Sequence, residues 1–265
     1  MQRMDIGLVG LGVMGENLAL NLVRNGFGVG GFDLDAGKRA SFGQRTHGLN
    51  AQAAASLQEL VASLQTPRCV WLMVPAGAAV DAVLTELSPL LSAGDVVMDG
   101  GNTLYTDTQR RMQALEGSGI HYVGAGVSGG EEGALRGPAL MPGGATEAWP
   151  HLKPMLQAIA AKTEDGQACC EWMGPGGSGH FVKMVHNGIE YADMQTICEA
   201  YWLMHQVLGM SAAYLYARVS GWQFSLASAS LPLGIGSTLL IGLFFGLYPA
   251  ISASRLQPVE ALRDE

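Results

Sequence analysis

Four polar side chains stand at helical spacing late in the chain and could perform acid–base chemistry. They occupy positions i, i+3, i+4 and i+7, which puts them on one face of a predicted helix. A lysine whose pKa is lowered by burial or by a cationic neighbour can act as a base, and a carboxylic acid can return a proton. A solvated face with an ordinary ion pair would give a similar stripe, although this one mixes a base, an acid and amide donors. The four residues are Lys183, His186, Asn187 and Glu190.

A glycine-rich loop near the N-terminus has the Gly-x-Gly-x-x-Gly spacing that is typical of dinucleotide-binding domains. Gly10 permits a tight turn, Gly12 lets the backbone approach a pyrophosphate, and Gly15 allows close packing of a helix on a strand. The N-terminus of the following helix adds amide donors and a positive dipole end. A purely structural glycine turn is the alternative. We expect a nicotinamide cofactor on Gly10, Leu11, Gly12, Val13, Met14 and Gly15.

An acidic pair follows the second predicted strand and bears on the choice of cofactor. A carboxylate there accepts hydrogen bonds from the adenosine ribose of NAD and repels the 2′-phosphate of NADP. Asp33 has this position and is followed by Leu34 and Asp35, so the sequence favours NAD over NADP. In the alternative, Lys38 or Arg39 folds back onto a 2′-phosphate.

Two further loops follow predicted strands, at residues 99–103 (Asp-Gly-Gly-Asn-Thr) and 127–133 (Val-Ser-Gly-Gly-Glu-Glu-Gly). Ser128 offers a hydroxyl, and Gly129 and Gly130 offer unobstructed amides. Either loop could be only a turn. Ligands of an open α/β sheet bind at the carboxyl ends of its strands, so both loops are candidates for a site.

Strand-like and helix-like segments alternate over the first part of the chain. This rhythm predicts an α/β fold with a Rossmann-like, doubly wound parallel sheet and helices on both faces. A long helix is then predicted from residue 176 to about 207. The predicted strands are 5–9, 27–32, 68–74, 95–98 and 120–123, and the predicted helices between them are 17–24, 79–91 and 106–116.

The composition limits the class of protein. The 265 residues are 48% hydrophobic and carry a formal net charge of −8, which argues against general nucleic-acid binding because that needs a basic face. No signal peptide is predicted. None of the cysteine spacings suits a metal, so we expect no metal site and reduced thiols in a cytoplasmic protein. The cysteines are Cys69, Cys169, Cys170 and Cys198.

The C-terminal part of the chain differs from the rest in its amino-acid composition. No charged residue lies between Arg218 and Arg255, and residues 231–248 are strongly apolar. Such a stretch predicts a possible transmembrane segment, with membrane contact through residues 226–253. Gly242 and Gly246 add a small-xxx-small packing pattern. A buried helix of a soluble domain is the alternative.

Six segments together resemble those of a known enzyme family. They are Gly-Leu-Gly-Val-Met-Gly (10–15), Leu-Met-Val-Pro-Ala-Gly (72–77), Asp-Gly-Gly-Asn-Thr (99–103), Gly-Val-Ser-Gly-Gly-Glu-Glu-Gly-Ala (126–134), Met-Pro-Gly-Gly (141–144) and Lys-Met-Val-His-Asn-Gly-Ile-Glu-Tyr (183–191). Over residues 1 to about 213, the chain resembles the decarboxylating 6-phosphogluconate dehydrogenases of the pentose phosphate pathway. A 3-hydroxyisobutyrate-type β-hydroxyacid dehydrogenase is the alternative, although the His-Asn-Gly-Ile-Glu-Tyr run is not expected there.

The resemblance implies oxidative decarboxylation of 6-phosphogluconate to ribulose 5-phosphate, with NAD(P) as hydride acceptor. Lys183 would take the proton of the C3 hydroxyl and later polarise the ketone, and Glu190 would protonate the enol at C1. The cofactor would also contact Val74, Pro75, Ala76 and Asn102, beside Asp33, Leu34 and Asp35. The substrate would be held by Asn102, Ser128, Gly129, Gly130, His186 and Asn187, with Tyr191 at its phosphate.

The resemblance implies more than this chain carries. Family members continue into a large all-helical domain, and a partner subunit completes their pocket. Here the last residues, roughly 218–265, resemble the final transmembrane helix and tail of a macrolide-exporter-type ABC-transporter permease. We therefore expect a dinucleotide-binding domain at 1–175, a first helix of a truncated domain at 176–213 and a permease-like segment at 214–265. Because the all-helical domain is truncated, we expect impaired turnover and doubt that the family's homodimer forms. A non-catalytic dinucleotide-binding fragment fused to a permease tail is the alternative.

Overall fold

The computed structural model of the chain describes residues 3–221. The chain divides into two units, Met1–Asn187 and Gly188–Glu265. The first unit holds one seven-stranded sheet in the order β3-β2-β1-β4-β5-β6-β7. The strands are β1 (Ile6–Val9), β2 (Val29–Phe32), β3 (Ala51–Ala53), β4 (Cys69–Leu72), β5 (Val96–Asp99), β6 (His121–Ser128) and β7 (Ala139–Gly144).

Helices cover both faces of this sheet. One buried apolar cluster joins α1 (Val13–Arg24) and α7 (Trp149–Ile159) to the sheet, and a second joins α3 (Leu57–Ser63), α4 (Ala78–Leu87) and α5 (Tyr105–Leu115) to it. The strands between the clusters are short apolar runs because they have no solvated face. The helices are α1 (Val13–Arg24), α2 (Ala36–Arg45), α3 (Leu57–Ser63), α4 (Ala78–Leu87), α5 (Tyr105–Leu115), α6 (Gly130–Arg136), α7 (Trp149–Ile159) and α8 (Ser178–Ser220).

The predicted Rossmann-like α/β fold is confirmed, with one correction. Strands β1 to β6 pair in parallel, as predicted, whereas β7 pairs antiparallel with β6. A parallel return needs a crossover of about a dozen residues or more. The β6–β7 connection carries only the seven-residue helix α6, so the chain returns in the opposite direction.

Strand order reverses between β1 and β4, which are neighbours in the middle of the sheet. Chains leave these two strands in opposite directions across the sheet, which opens a crevice at their carboxyl ends. The glycine loop follows β1, and residues 73–77 follow β4. The fold therefore places two of the sequence motifs at opposite sides of this crevice.

The long helix predicted from residue 176 is observed as α8, which has 43 residues and continues past residue 213 without a break. Its first turns belong to the first unit, and the remainder belongs to the second. Within residues 3–221, no helix combines the length and apolar character that crossing a membrane requires. The predicted membrane contact at 226–253 lies outside the described residues, as does nearly all of the permease-like segment.

Candidate active site

A cleft of about 710 Å³ lies at the carboxyl ends of β1, β2, β4 and β5 in the first unit. Most of the residues predicted to bind the cofactor line it. Leu11 and Asp35 are exceptions, because the Leu11 side chain is buried in the core and Asp35 caps α2. The predicted residues on the cleft wall are Gly10, Gly12, Val13, Met14, Gly15, Asp33, Leu34, Val74, Pro75, Ala76 and Asn102.

The glycine loop has the backbone geometry that its sequence predicts. Gly10 has φ +99°, and a Cβ there would lie 2.5 Å from the carbonyl oxygen of Met73. A Cβ on Gly15 would lie 1.9 Å from the Gly10 carbonyl oxygen, so α1 packs directly on the loop. A Cβ on Gly12 would meet no atom within 4 Å. The backbone of Gly12 therefore faces open space at the N-terminus of α1, where an anion binds well.

Asp33 stands at the end of β2 and holds the glycine loop in place. Its Oδ2 accepts a hydrogen bond from Leu11 N at 2.8 Å, and its Oδ1 accepts one from Asp35 N at 2.9 Å. Lys38 Nζ lies 3.6 Å from Oδ2 and also lines the cleft. Arg39 does not line the cleft, and its guanidinium donates to the carbonyl oxygen of Asp33 at 2.6 Å. Of the two basic residues, Lys38 is therefore the one at the cleft.

Asp99 anchors the loop that follows β5. Its carboxylate is fully buried and accepts hydrogen bonds from Thr103 Oγ1 at 2.7 Å and from Gly101 N at 3.0 Å. The Tyr122 hydroxyl donates to the same carboxylate at 3.2 Å, and burial together with Asp99 raises the pKa of Tyr122. These bonds fix a tight loop that presents Asn102 to the cleft.

Lys183 is buried near the start of α8, with only 8% of its surface exposed. A Cβ on Gly126 of β6 would lie 2.4 Å from Lys183 Cβ, so the helix rests against bare backbone there. One turn earlier, His180 Nδ1 lies 2.6 Å from Thr108 Oγ1 on α5. Burial lowers the pKa of His180. The alternative of a solvated face is therefore wrong for Lys183.

Ser128 and His186 meet at the end of β6, where Ser128 Oγ lies 3.5 Å from His186 Nε2. His186 Nδ1 lies 3.2 Å from Asn187 Oδ1 on the same helix. Gly129 and Gly130 follow Ser128 and are exposed. The first unit thus brings most of the predicted substrate residues to one end of β6.

Glu190 and Tyr191 belong to the second unit, where both side chains are exposed on α8. Sequence reasoning missed other polar residues of the site, namely Asp99 as an anchor, Arg111, Thr108 and His180, all of which are buried. For Arg111, Thr108 and His180, the available signal was a polar residue at a core-facing position of a helix. Within residues 3–221, no group of three or more His, Cys, Asp or Glu residues could hold a metal ion.

Comparison with known families decides the membership of the chain. A family model described as the NAD binding domain of 6-phosphogluconate dehydrogenase matches residues 5–174. The chain belongs to the 6-phosphogluconate dehydrogenase family. A second model, the C-terminal domain of 6-phosphogluconate dehydrogenase, matches residues 179–236. This match extends past residue 213, where we expected the resemblance to end, and the comparisons give no support to a permease-like tail.

Named relatives agree with this membership. The decarboxylating 6-phosphogluconate dehydrogenase of Treponema pallidum is 56% identical over 219 residues, which are 82% of this chain and 45% of the relative. The NADP(+)-dependent, decarboxylating enzyme of Bacillus subtilis is 52% identical over 222 residues, 84% of this chain and 47% of the relative. The chain therefore spans about half the length of the curated relatives that it matches.

Among solved structures, the chain is more similar to a 6-phosphogluconate dehydrogenase than to a 3-hydroxyisobutyrate dehydrogenase. The Plasmodium falciparum 6-phosphogluconate dehydrogenase, studied with its cofactor NADP+ and its substrate 6-phosphogluconate, has a TM-score of 0.74 and 39% identity, covering 77% of this chain and 44% of that one. A 3-hydroxyisobutyrate dehydrogenase of Mycobacterium tuberculosis reaches 0.67 at only 26% identity, covering 86% and 74%. The alternative 3-hydroxyisobutyrate type is thus a distant neighbour.

Proposed function

We propose that this chain binds NAD(P) in the cleft and oxidatively decarboxylates 6-phosphogluconate to ribulose 5-phosphate and CO₂. The observation that carries the proposal is the burial of Lys183 against Gly126, at the strand end where Ser128 meets His186. A general base must lie within hydrogen-bond reach of the proton that it removes, and Lys183 is held beside that strand end. The family membership supports the same reaction.

The cleft suits a dinucleotide in three respects. Open space above Gly12 leaves room for a pyrophosphate at the N-terminus of α1. Asp33 stands where an adenosine ribose would lie, and Val74, Pro75 and Ala76 form the opposite wall. When bound, NAD(P) supplies the hydride acceptor for the oxidation.

The residues of this chain would handle the protons. Lys183 takes the proton of the C3 hydroxyl as the hydride leaves C3, which gives a 3-keto acid. The protonated Lys183 then donates to the ketone oxygen while the C1–C2 bond breaks and CO₂ departs. Glu190 protonates the former C2 carbon of the resulting enediol while Lys183 takes back the proton of the C3 hydroxyl, which restores the ketone. The protonated carbon becomes C1 of the product. The sugar acid is held by Asn102, Ser128, Gly129, Gly130, His186 and Asn187, and its phosphate by Tyr191.

We further propose that the chain prefers NAD to NADP. A carboxylate at the end of β2 binds ribose hydroxyls and repels a 2′-phosphate, and Asp33 is only 12% exposed at that position. The names of the Bacillus subtilis and Plasmodium falciparum relatives specify NADP for those proteins. In this chain Lys38 beside Asp33 is the group that could serve a 2′-phosphate, so the preference needs a direct titration.

The deciding experiment compares Lys183→Met with the wild-type chain and with a control, Lys153→Met, at an exposed lysine on α7. We measure reduced cofactor by absorbance and CO₂ release with 6-phosphogluconate as substrate. Removal of the base should lower kcat by about a hundredfold or more, and the control should match the wild type. Where the wild-type chain turns over, equal activity in Lys183→Met would contradict the assignment.

The same assay separates the other possibilities. Cofactor binding without turnover in the wild type would favour the non-catalytic fragment and would bear out the predicted impairment. Light scattering at several concentrations tests the doubtful homodimer. The cytoplasmic location of the protein stays a prediction.

A further inference from the structure

Arg111 is a buried cation on α5 whose three nitrogens reach three different acceptors. Nε donates to Asp81 Oδ1 at 2.8 Å, and Nη2 donates to the carbonyl oxygen of Gly77 at 3.0 Å. Nη1 lies 3.5 Å from Asp99 Oδ2. The side chain is only 1% exposed. The planar guanidinium offers its donors in fixed directions, which the single ammonium of a lysine cannot reproduce.

Two of the acceptors, Gly77 and Asp99, belong to the neighbouring loops after β4 and β5, and the third, Asp81, lies on α4. Gly77 closes the loop after β4 and, with φ +88°, is the N-cap of α4. Asp99 opens the loop after β5 and fixes its tight turn. The first loop lines the cleft through residues 74–76 and the second through residues 100–102. Arg111 itself is not among the residues of the cleft wall, so it braces both loops from behind.

Electrostatics make this brace hard to remove without penalty. The buried Asp99 carboxylate would lose its cation if Arg111 became apolar, and an unpaired buried charge destabilises a fold strongly. The hydrogen bond from Arg111 is also the main reason why the pKa of Asp81 is lowered. The informative variant is therefore Arg111→Lys, which keeps the positive charge but loses the planar guanidinium and its several donors.

We infer that Arg111 is a positioning residue for the cofactor, which sets the spacing of the β4 and β5 loops around the nicotinamide half of the dinucleotide. The inference rests on the proposed binding of NAD(P) in the cleft. The adenine half has different partners, since the glycine loop and Asp33 lie on the other side of the crevice. Loss of the brace should therefore weaken the whole dinucleotide and spare an adenine nucleotide.

The test is calorimetric titration of the full chain with NAD, NADP and ADP, well below the temperature of unfolding. Arg111→Lys should bind whichever dinucleotide the wild type binds about tenfold more weakly, the effect of losing one charge-assisted hydrogen bond of about 1.4 kcal/mol. Its affinity for ADP should stay within about twofold of the wild type.

Arg110→Lys is the matched control. Arg110 is the adjacent residue on α5, is 54% exposed, and pairs with the same Asp81 and with Asp107. Its guanidinium donates to Asp107 and Asp81 and bonds neither Gly77 nor Asp99. We expect this control to bind all three nucleotides like the wild type.

A second variant covers the case in which Arg111→Lys does not fold. Asp81→Asn removes the negative charge of the Asp81 acceptor, whose side chain is 41% exposed, and so weakens its hydrogen bond from Arg111, while the buried pair of Arg111 and Asp99 stays in place. It should show the same selective loss of dinucleotide affinity.

Three results would overturn the inference. Unchanged dinucleotide binding in Arg111→Lys and Asp81→Asn removes the positioning role. Equal losses for ADP and dinucleotide indicate a general structural role instead. A folded wild-type chain that binds neither NAD nor NADP refutes the proposed function, and the inference with it, before any variant is compared.

Discussion

Leu11 donates its backbone N–H to Asp33 Oδ2 at 2.8 Å, so the glycine loop and the end of β2 form one hydrogen-bonded unit. The remaining carboxylate oxygen, Oδ1, accepts from Asp35 N. The Asp33 carboxylate, which would bind the adenosine ribose, is thus held by the backbone of the glycine loop, which would bind the pyrophosphate. A change at Asp33 should therefore affect cofactor choice more than overall folding, because an amide oxygen can still accept from Leu11.

Asp33→Asn should shift the cofactor preference towards NADP. The substitution removes the negative charge that repels a 2′-phosphate and weakens the hydrogen bonds to ribose hydroxyls. We expect the ratio of the dissociation constants of NADP and NAD to fall about tenfold, or about 1.4 kcal/mol, as measured by fluorescence titration. Asp35→Asn is the control, since Asp35 caps α2 and does not line the cleft. A ratio that stays the same in Asp33→Asn would contradict the NAD preference.

Gly126→Ala should destabilise the fold and displace the proposed base. The added Cβ would lie 2.4 Å from Lys183 Cβ and 3.0 Å from its Cγ, so α8 must shift from β6. Overpacking of this kind costs about 1–3 kcal/mol in the free energy of unfolding, measured here by urea titration. In the control Gly133→Ala the new Cβ has Ser128 O as its nearest contact, at 3.6 Å. Equal stability of the two variants would show that β6 does not set the position of α8.

His180 should make the protein less stable as the pH falls. Burial is the main cause of its lowered pKa, Asp99 opposes the shift, and Arg111 adds to it. When the pH drops below about 6.5, the unfolded chain takes up the proton before the folded chain does, so acid favours unfolding. The loss continues until the pH reaches the folded-state pKa, where it levels off.

Urea titrations at about pH 7.5 and about pH 5.5 measure this effect. His180→Gln should flatten the pH dependence in that interval, whereas a substitution at the exposed His151 on α7 should leave it as in the wild type. An unaltered slope in His180→Gln would assign the pH dependence to other groups.

Cys69 and Cys170 should resist thiol reagents in the folded protein. Burial is the largest cause that raises the pKa of each thiol to about 12, with a smaller contribution from Asp95 or Glu171. At about pH 8 only about one such thiol in ten thousand is ionised, and the thiolate is the reactive form. A disulfide reagent should therefore label the exposed Cys198 first, and should reach Cys69 and Cys170 only after urea is added. Rapid labelling of Cys69 in the native chain would contradict its burial.

Local sequence was sufficient for the elements that carry a strong local signal. The glycine loop and the apolar runs of β4 and β5 were predicted because a buried parallel strand needs a continuous apolar segment. β3 is only half-buried and three residues long, and β7 contains Pro142 and two glycines, so neither has such a pattern. The helix α7 was not predicted from the sequence, because it contains Pro154 and proline is unfavourable inside a helix.

The candidate site divides in the same way. The spacing of Lys183 and His186 is local to one helix, so it was readable from the sequence. The meeting of Arg111 with Asp99 and Gly77 depends on how α5 packs beside the β4 and β5 loops. No single segment contains that information, because the three residues come from different elements whose approach is set by the folded sheet.

The bare backbone under the start of α8 has a consequence for divergence among related chains. A Cβ on Gly179 would lie 2.1 Å from the Gly124 carbonyl oxygen, and Gly126 lies under Lys183 in the same way. At Gly179 and Gly124 the helix and the strand therefore meet backbone to backbone, so their separation there owes little to side-chain size. Substitutions elsewhere in β6 can therefore change the core without displacing Lys183, provided that these few glycines are retained.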